Sequence, residues 1–272
     1  GQADGGGSNL KTRSVDCIRN LNDQSMNSID LVEMGHWFAE RDDIPTTLFD
    51  DGHHAIYWLG TPGNSAFRCN AYMILDGNDA VLVDPGGVDA FKFVKDRVEQ
   101  IIQPEKIAGL ILSHPDPDVA ASMVNWLDVN PAMEIITSVR TNILLPHYGR
   151  SDYSFYNIND HPTWTFPSGR KLSFIESPFL HFPGAFATFD ESSGFLFSGD
   201  IWASIDVNWH LVVDDFEHHE LKLNLFHLDY MASNVATRGF VNRNRHLPLE
   251  AVLPQHGSVI PKKFIPAALK YL

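Results

Sequence analysis

The sequence predicts an α/β fold built on two sheets, and three observations carry that expectation. Short apolar runs rich in β-branched and aromatic residues recur, each bounded by Gly, Pro, Asn or Asp. Stretches with helical apolar spacing are interleaved with them. From Phe166 onward the runs crowd together between turn residues, as the strands of a second sheet would. A length of 272 residues with 44% hydrophobic side chains suits one large α/β domain and leaves ample material for a core.

Residues 1–30 are polar and rich in Asn, Ser and Asp, which reads as a flexible lead-in, with the single domain covering 31–272. Gly1 to Ser8 looks flexible or tag-derived. Ser28 to Arg41 has helical spacing in Ile29, Val32 and Phe38. The runs 55–60, 72–75 and 80–83 read as strands of a hairpin-rich sheet, the last two joined by Asp76-Gly77-Asn78-Asp79. Phe91, Val94, Val98 and Ile101 recur on one face of a helix expected over 88–102. Pro104 then leads into a strand that ends at Leu112, followed by a helix from Val119 to about Leu127 and a strand at Ile135 and Ile136. The second sheet takes 174–175, 185–189 and 195–197, and 214–241 reads as helical, with Leu221, Leu225, Leu228 and Met231 suited to packing on that sheet.

The chemistry concentrates where the apolar runs stop. Ile111-Leu112-Ser113-His114-Pro115-Asp116-Pro117-Asp118 places three potential metal ligands at alternate positions. In extended backbone His114, Asp116 and Asp118 project to one side. The prolines hold the chain extended and keep His114 and Asp116 out of the helix that begins near Asp118, whose N-terminal dipole favours negative charge there. Taken alone this octapeptide also suits a turn and helix cap. Three later runs end the same way: the one reaching His181, the one ending Ser198-Gly199-Asp200, and Pro254-Gln255-His256-Gly257. Three His and three Asp at strand ends suffice for two metal ions sharing a carboxylate, with Asp200 the natural bridge.

This set resembles the metallo-β-lactamase fold, and in detail the flavodiiron proteins and the oxygen-binding diiron proteins related to them. The resemblance rests on His114, Asp116 and Asp118 in their cluster, on His181-Phe182-Pro183-Gly184, on Leu196 to Asp200 and on Pro254 to Gly257. Cys69 to Leu75 and Ala80 to Gly87 look like the family's opening strand pair and its Asp-containing turn, so it spans roughly 45–265. It implies an αββα sandwich of two mixed sheets flanked by helices, with His114, Asp116, Asp118, His181, Asp200 and His256 as metal ligands. Two departures matter. Val119 stands where many members have a further His, leaving the second metal one protein ligand short, and Asp116 stands where flavodiiron enzymes usually carry Glu. His147 is a candidate extra ligand or supporting group.

A donor set about half carboxylate and without cysteine suits iron better than zinc, with zinc and manganese as alternatives. Two iron ions are therefore expected. Flavodiiron enzymes carry a flavodoxin-like FMN domain after the core, but sixteen residues follow His256 and there is no Gly-rich phosphate loop, so no flavin is expected in this chain. The resemblance then favours a protein that binds dioxygen or another small diatomic, as an oxygen or redox sensor coupled to a fused or separate signalling output. The alternatives are an O2 or NO reductase fed by an external electron donor, and a binuclear hydrolase of phosphodiesters or thioesters. Analogy of fold suggests a homodimer.

A net charge of −14 and a pI near 5.2 argue against nucleic-acid or anionic membrane surfaces. The two cysteines, Cys17 and Cys69, make a disulfide framework improbable, and together with the lack of a spanning run or signal pattern they give a cytoplasmic expectation. His53, His54, His161, His210, His218, His219 and His227 carry no assigned role. The neighbours in Glu217-His218-His219-Glu220 diverge on a helix. Tyr153, Phe155, Tyr156 and Trp164 read as loop packing, Asp50-Asp51 as solvated surface, and Asp214-Asp215 as surface or a helix start.

Overall fold

The computed structural model describes residues 45–62 and 66–272, so the lead-in and the helix expected over 28–41 lie outside the described residues. Strands β1 (Thr46–Asp50), β2 (His54–Trp58), β3 (Tyr72–Asp76) and β4 (Asp79–Val83) form an antiparallel meander. Next come β5 (Ile107–Ile111), β6 (Glu134–Thr137) and β7 (Ser154–Asn157), which extend it in parallel to a sheet ordered β1 to β7. The tight turn between β3 and β4 places Gly77 at φ 61°, which suits a two-residue hairpin with glycine at its first central position.

Connections through helices make the parallel half possible. Helix α1 (Phe91–Val98) joins β4 to β5, while α2 (Pro117–Ala120) and α3 (Met123–Val129) join β5 to β6. The helix expected over 119–127 is thus two short pieces. A single turn, α4 (Val139–Asn142), follows β6.

The second sheet contains β8 (Thr163–Thr165), β9 (Lys171–Glu176), β10 (Phe186–Asp190), β11 (Phe195–Gly199), β12 (Ala251–Pro254) and β13 (Ile260–Pro261). Its order is β13-β12-β11-β10-β9-β8, and only β11 and β12 run parallel, so both sheets are mixed. Between β11 and β12 lie α5 (Phe216–Tyr230) and α6 (Asn234–Asn244), and α7 (Ile265–Tyr271) ends the chain. The helical stretch expected over 214–241 divides because Met231 is extended and Ser233 caps a new helix through Ala236 N–H, and Leu221, Leu225 and Leu228 are exposed instead of packing on the sheet, where Leu223 takes that place. Asp215 caps α5 by accepting from His218 N–H, so the Asp214-Asp215 pair does open a helix. His218 is exposed and His219 buried, as divergence on a helix requires.

Alternation of side chains along the strands builds three apolar layers. Tyr72, Ile74, Val81, Val83, Phe195, Phe197, Ala251 and Leu253 point between the sheets. Met73, Ala80, Leu82 and Leu110 point instead to Val94, Val98, Met123 and Trp126 of the first helical layer. Leu196 and Val252 meet Leu223, Phe240 and Ala268 of the second. The αββα sandwich is therefore present. Tyr156 and Trp164 pack edge to face on the inter-sheet core, which agrees with the packing role expected for them.

A fully buried polar contact crosses that core. His54, fully buried, hydrogen-bonds Asp76 of its own sheet through Nδ1 at 3.0 Å and Asp190 of the facing sheet through Nε2 at 3.1 Å. Its neighbour Asp51 accepts from the His54 backbone N–H and pairs with Arg170, so Asp51 is a structural group and not merely solvated. Burial disfavours a charged His54 ring, but its bonds to Asp190 and Asp76 outweigh that, and its pKa is raised. Stability from this clamp is then complete below the unfolded imidazole pKa of about 6.5 and is lost as pH rises through the higher folded value. Denaturant titration should show wild type losing stability relative to His54→Gln as pH rises from about 6.5 into the alkaline range, the His54 contribution being about 3 kcal/mol at the acidic end. A constant difference across that range would contradict a charged clamp.

Candidate metal centre

The donor-bearing loops leave strands at one edge of the sandwich. His114, Asp116 and Asp118 follow β5, Asp200 follows β11, His256 follows β12, and His181 lies in the connection from β9 to β10. Asp200 sits at the middle, 3% exposed. Its Oδ2 is 3.2 Å from His114 Nε2 and 3.0 Å from His181 Nε2, and its Oδ1 is 3.6 Å from His256 Nε2. Asp116 Oδ2 lies 3.3 Å from His181 Nε2 and 3.8 Å from His114 Nε2. Asp118 Oδ2 lies 3.2 Å from His256 Nε2. The donors thus fall into two groups, His114, Asp116 and His181 against Asp118 and His256, with Asp200 between them.

This corrects the expectation that His114, Asp116 and Asp118 share one side. Strand β5 stops at Ile111, and Pro117 opens α2, so Asp118 stands in the first helical turn while Asp116 remains extended at φ −60°, ψ 147°. A change from extended to helical backbone between the two carboxylates turns them apart.

Hydrogen bonds behind the ring nitrogens fix the histidines. Ser113 Oγ donates to Asp84 Oδ2 at 2.9 Å, so it accepts from His114 Nδ1–H at 3.0 Å, and the His114 lone pair is left on Nε2. Ser113 N–H also donates to Asp84 Oδ1 at 2.9 Å. Burial pushes the Asp84 carboxyl up to about 6. His256 Nδ1 donates to Arg68 O at 3.0 Å, which again turns Nε2 inward. Such outer partners set tautomer and ring orientation in metal sites.

Without a cation, three imidazoles neutralise three carboxylates. Asp116 and then Asp200 raise His181 to about 10. Burial opposes charge on His114 and His256, yet Asp200 for the first and Asp118 for the second raise both. Burial would also raise Asp200, but the His114 charge and bonds from its neighbours hold it well below the usual range. His114 Nε2 and Asp200 Oδ1 are nevertheless buried without a hydrogen-bond partner, and both face the centre. A buried polar atom without a partner is costly, and a bound cation would engage both. The residues present therefore fit a pair of metal ions.

Several residues that hold this arrangement carry no donor motif. Asn70, fully buried, accepts from Trp58 Nε1 at 2.9 Å and donates to Pro254 O at 2.9 Å and Gly257 O at 2.7 Å. Tyr72 OH donates to Pro254 O at 2.8 Å, so His256 rides on a loop fastened to the opposite sheet. Gly257 has φ 84°, and a Cβ there would lie 1.9 Å from Ser204 Oγ. Ser138 Oγ donates to Gly184 O at 2.7 Å and anchors the His181 loop.

His227 on α5 acts on the other side of Asp200. Its Nδ1 donates to Leu223 O at 3.0 Å, leaving Nε2 to accept from Trp202 N–H at 3.0 Å. Trp202 has φ 62°, two residues after Asp200. Burial pushes His227 down to about 4, so it stays neutral and able to accept. The sequence offered no spacing that tied His227 to Asp200, because the contact spans helix to loop. By contrast His147 is exposed and lies in neither donor group, and its neighbour Tyr148 turns its hydroxyl to Pro115 O. Val119 is fully buried and apolar, so it supplies no donor.

The chain belongs to the ODP family beta lactamase, whose profile matches residues 67–257. It is 34% identical to the apo state of the chemotaxis sensor ODP from T. denticola, over 83% of this chain and 92% of that one, with a TM-score of 0.76. A structure described as a peroxy diiron species of chemotaxis sensor ODP is 33% identical over 84% and 93% of the two chains, with a TM-score of 0.74. The anaerobic nitric oxide reductase flavorubredoxin of Aeromonas hydrophila is 25% identical over 87% of this chain and 47% of its own length. Rubredoxin oxygen:oxidoreductase of Desulfovibrio gigas, 17% identical with a TM-score of 0.75, shares the fold, over 83% of this chain and 60% of that one. The chain spans about a quarter to a little over half the length of the curated relatives it matches.

His227→Leu strands the Trp202 N–H in a buried position and should cost about 1–3 kcal/mol in denaturant unfolding. An unchanged unfolding free energy would show that this bond does not hold the Asp200 turn.

Proposed function

We propose that this chain is a non-haem diiron protein that binds dioxygen and acts as an oxygen or redox sensor. The observation that carries this reading is the buried Asp200 carboxylate set between two donor groups, with one oxygen turned to each. His114, Asp116 and His181 would hold the first iron, Asp118 and His256 the second, and Asp200 both. Three carboxylates beside three imidazoles favour iron over zinc, though zinc and manganese stay as competitors for the same donors. Two reduced iron ions supply the electrons and the open coordination positions that O2 binding requires.

The protein's own part is positional. Asp84 and Ser113 hold His114 by its Nδ1–H, and Arg68 O holds His256 in the same way, so both rings meet the centre with a lone pair. Val119 is buried and contributes no donor beside Asp118, so the second position has fewer donors in this set than the first. The rings of Phe67 and Phe226 lie against His256, and Tyr230 against His181, giving an aromatic wall suited to a small neutral diatomic. The ODP relatives, described as chemotaxis sensors, support signalling through a fused or separate output. A homodimer belongs to the same reading. Among the described residues no helix is long and apolar enough to cross a membrane.

Protein purified and reduced without oxygen should contain about two irons per chain and develop a new visible absorption band when O2 is admitted. Two zinc ions, no spectral response to O2 and metal-dependent cleavage of a model phosphodiester would replace this reading with hydrolysis.

Two substitutions test the roles. Asp200→Ala should reduce bound metal from about two ions to one or fewer by elemental analysis, and retention of both would remove Asp200 as the bridge. Ser113→Ala should weaken metal affinity about 10–100-fold in competition with a chelator. Unaltered affinity would leave the Asp84–Ser113–His114 chain without a function at the metal.

A further inference from the structure

The second donor group is short of protein ligands, and a thiol stands beside it. Cys69 Sγ lies 3.7 Å from Asp118 Oδ2 and 3.8 Å from His256 Nδ1. One donor atom from each of Cys69, Asp118 and His256 can be chosen so that all lie within 4.8 Å of one another, forming a three-residue group apart from His114, His181 and Asp200. Metal–sulfur bonds of about 2.3 Å and metal–oxygen bonds of about 2.1 Å allow two donors on one ion to stand up to about 4.4 Å apart. The observed separation of Sγ from Asp118 Oδ2 falls inside that limit, and Asp118 Oδ2 is itself 3.2 Å from His256 Nε2, the nitrogen that faces the centre, whereas the sulfur's 3.8 Å contact is with the outer nitrogen Nδ1.

The backbone fixes this approach. Cys69 pairs with His256 in an isolated antiparallel bridge, and the next residue, Asn70, donates its N–H to Gln255 O at 2.6 Å while its side chain holds Pro254 O and Gly257 O. Cys69 and His256 are thus held side by side by the bonds that also hold the His256 loop. Gln255 Nε2 reaches Asp118 O at 3.2 Å and brings the third member in. An independent sign of a missing partner is Asp200 Oδ1, which is buried, turned toward His256 and without a hydrogen bond.

We propose that Cys69 is a thiolate ligand of the second metal, taking up the coordination that Val119 cannot supply. This rests on the diiron reading of the site. On binding, the Cys69 S–H proton leaves to solvent and a sulfur lone pair forms the metal bond, with no change of oxidation state. The two positions are then chemically unequal. The first has only nitrogen and oxygen donors, whereas the second has a soft sulfur donor as well.

The test loads wild-type protein with Co(II), counts the ions and records the near-ultraviolet spectrum, then repeats both with Cys69→Ala. A sulfur-to-cobalt charge-transfer band is expected in wild type and absent from Cys69→Ala. In a Cys17→Ser background, where Cys69 is the remaining thiol, saturating Zn(II) should slow its reaction with an aromatic disulfide reagent by on the order of tenfold or more. Two cobalt ions bound with no such band, or a thiol equally reactive with and without zinc, overturns the ligand role and leaves the diiron reading standing, with Cys69 only a hydrogen-bond donor to Asp118. A band that persists in Cys69→Ala overturns it as well. Fewer than two cobalt ions in wild type overturns both. The wild-type spectrum and the protection experiment decide the matter even if Cys69→Ala does not fold.

Discussion

A carboxylate buried among three imidazoles is the constraint around which this protein is organised. Asp200 is ionised in a place where burial alone would protonate it, because His114, His181 and His256 converge on it from three separate loops. Charge of that kind is tolerated inside a protein only when each group has a partner of opposite sign or a metal. The charge on the carboxylates is therefore balanced in two ways, by protons on the histidines or by cations in their place, and only the cations would also engage His114 Nε2 and Asp200 Oδ1. Metal affinity and the architecture of the edge loops are linked through this exchange.

The sandwich brings the loops together by the parallel strands of each sheet. At β4, β5 and β6 of one sheet and at β11 and β12 of the other, strand ends lie side by side, so residues distant in sequence meet across the two sheets. Fastening bonds run between sheets as well as within them: Asn70 and Tyr72 hold the His256 loop, and Phe186 N–H reaches Ser113 O beside His114. At the opposite end of the core, His54 joins Asp76 to Asp190. The sheets are thus tied by polar contacts at both ends of an otherwise apolar interface, which keeps the donors in register.

Much of this was legible in the sequence for a physical reason. Strand ends are where α/β sheets place their chemistry, so an apolar run that stops in His or Asp announces both an element and its edge residue. His114, Asp116, Asp118, His181, Asp200 and His256 were all found that way, and the structure brings them together. The alternation rule failed at Asp118 because it assumes continuous extended backbone, and Pro117 began a helix instead. His147 is a candidate only as compensation for the donor missing at Val119 and the short Asp116, and its exposed side chain lies in neither donor group. His54 and His227 carry no signal in the sequence because their partners, Asp190 and the Trp202 N–H, are fixed by tertiary contact and leave no local pattern. For Cys69 the sequence speaks only to the improbability of a disulfide framework, because its closeness to His256 arises from an isolated β-bridge outside the strands.

The most direct test of the account is the position of metal in iron-loaded crystals, located by anomalous scattering at the iron edge. Two peaks are predicted, one among His114, Asp116 and His181 and one beside Asp118 and His256, each within bonding distance of a different oxygen of Asp200. A single peak, or two peaks of which one is out of reach of Asp200, would contradict the shared carboxylate on which the rest depends.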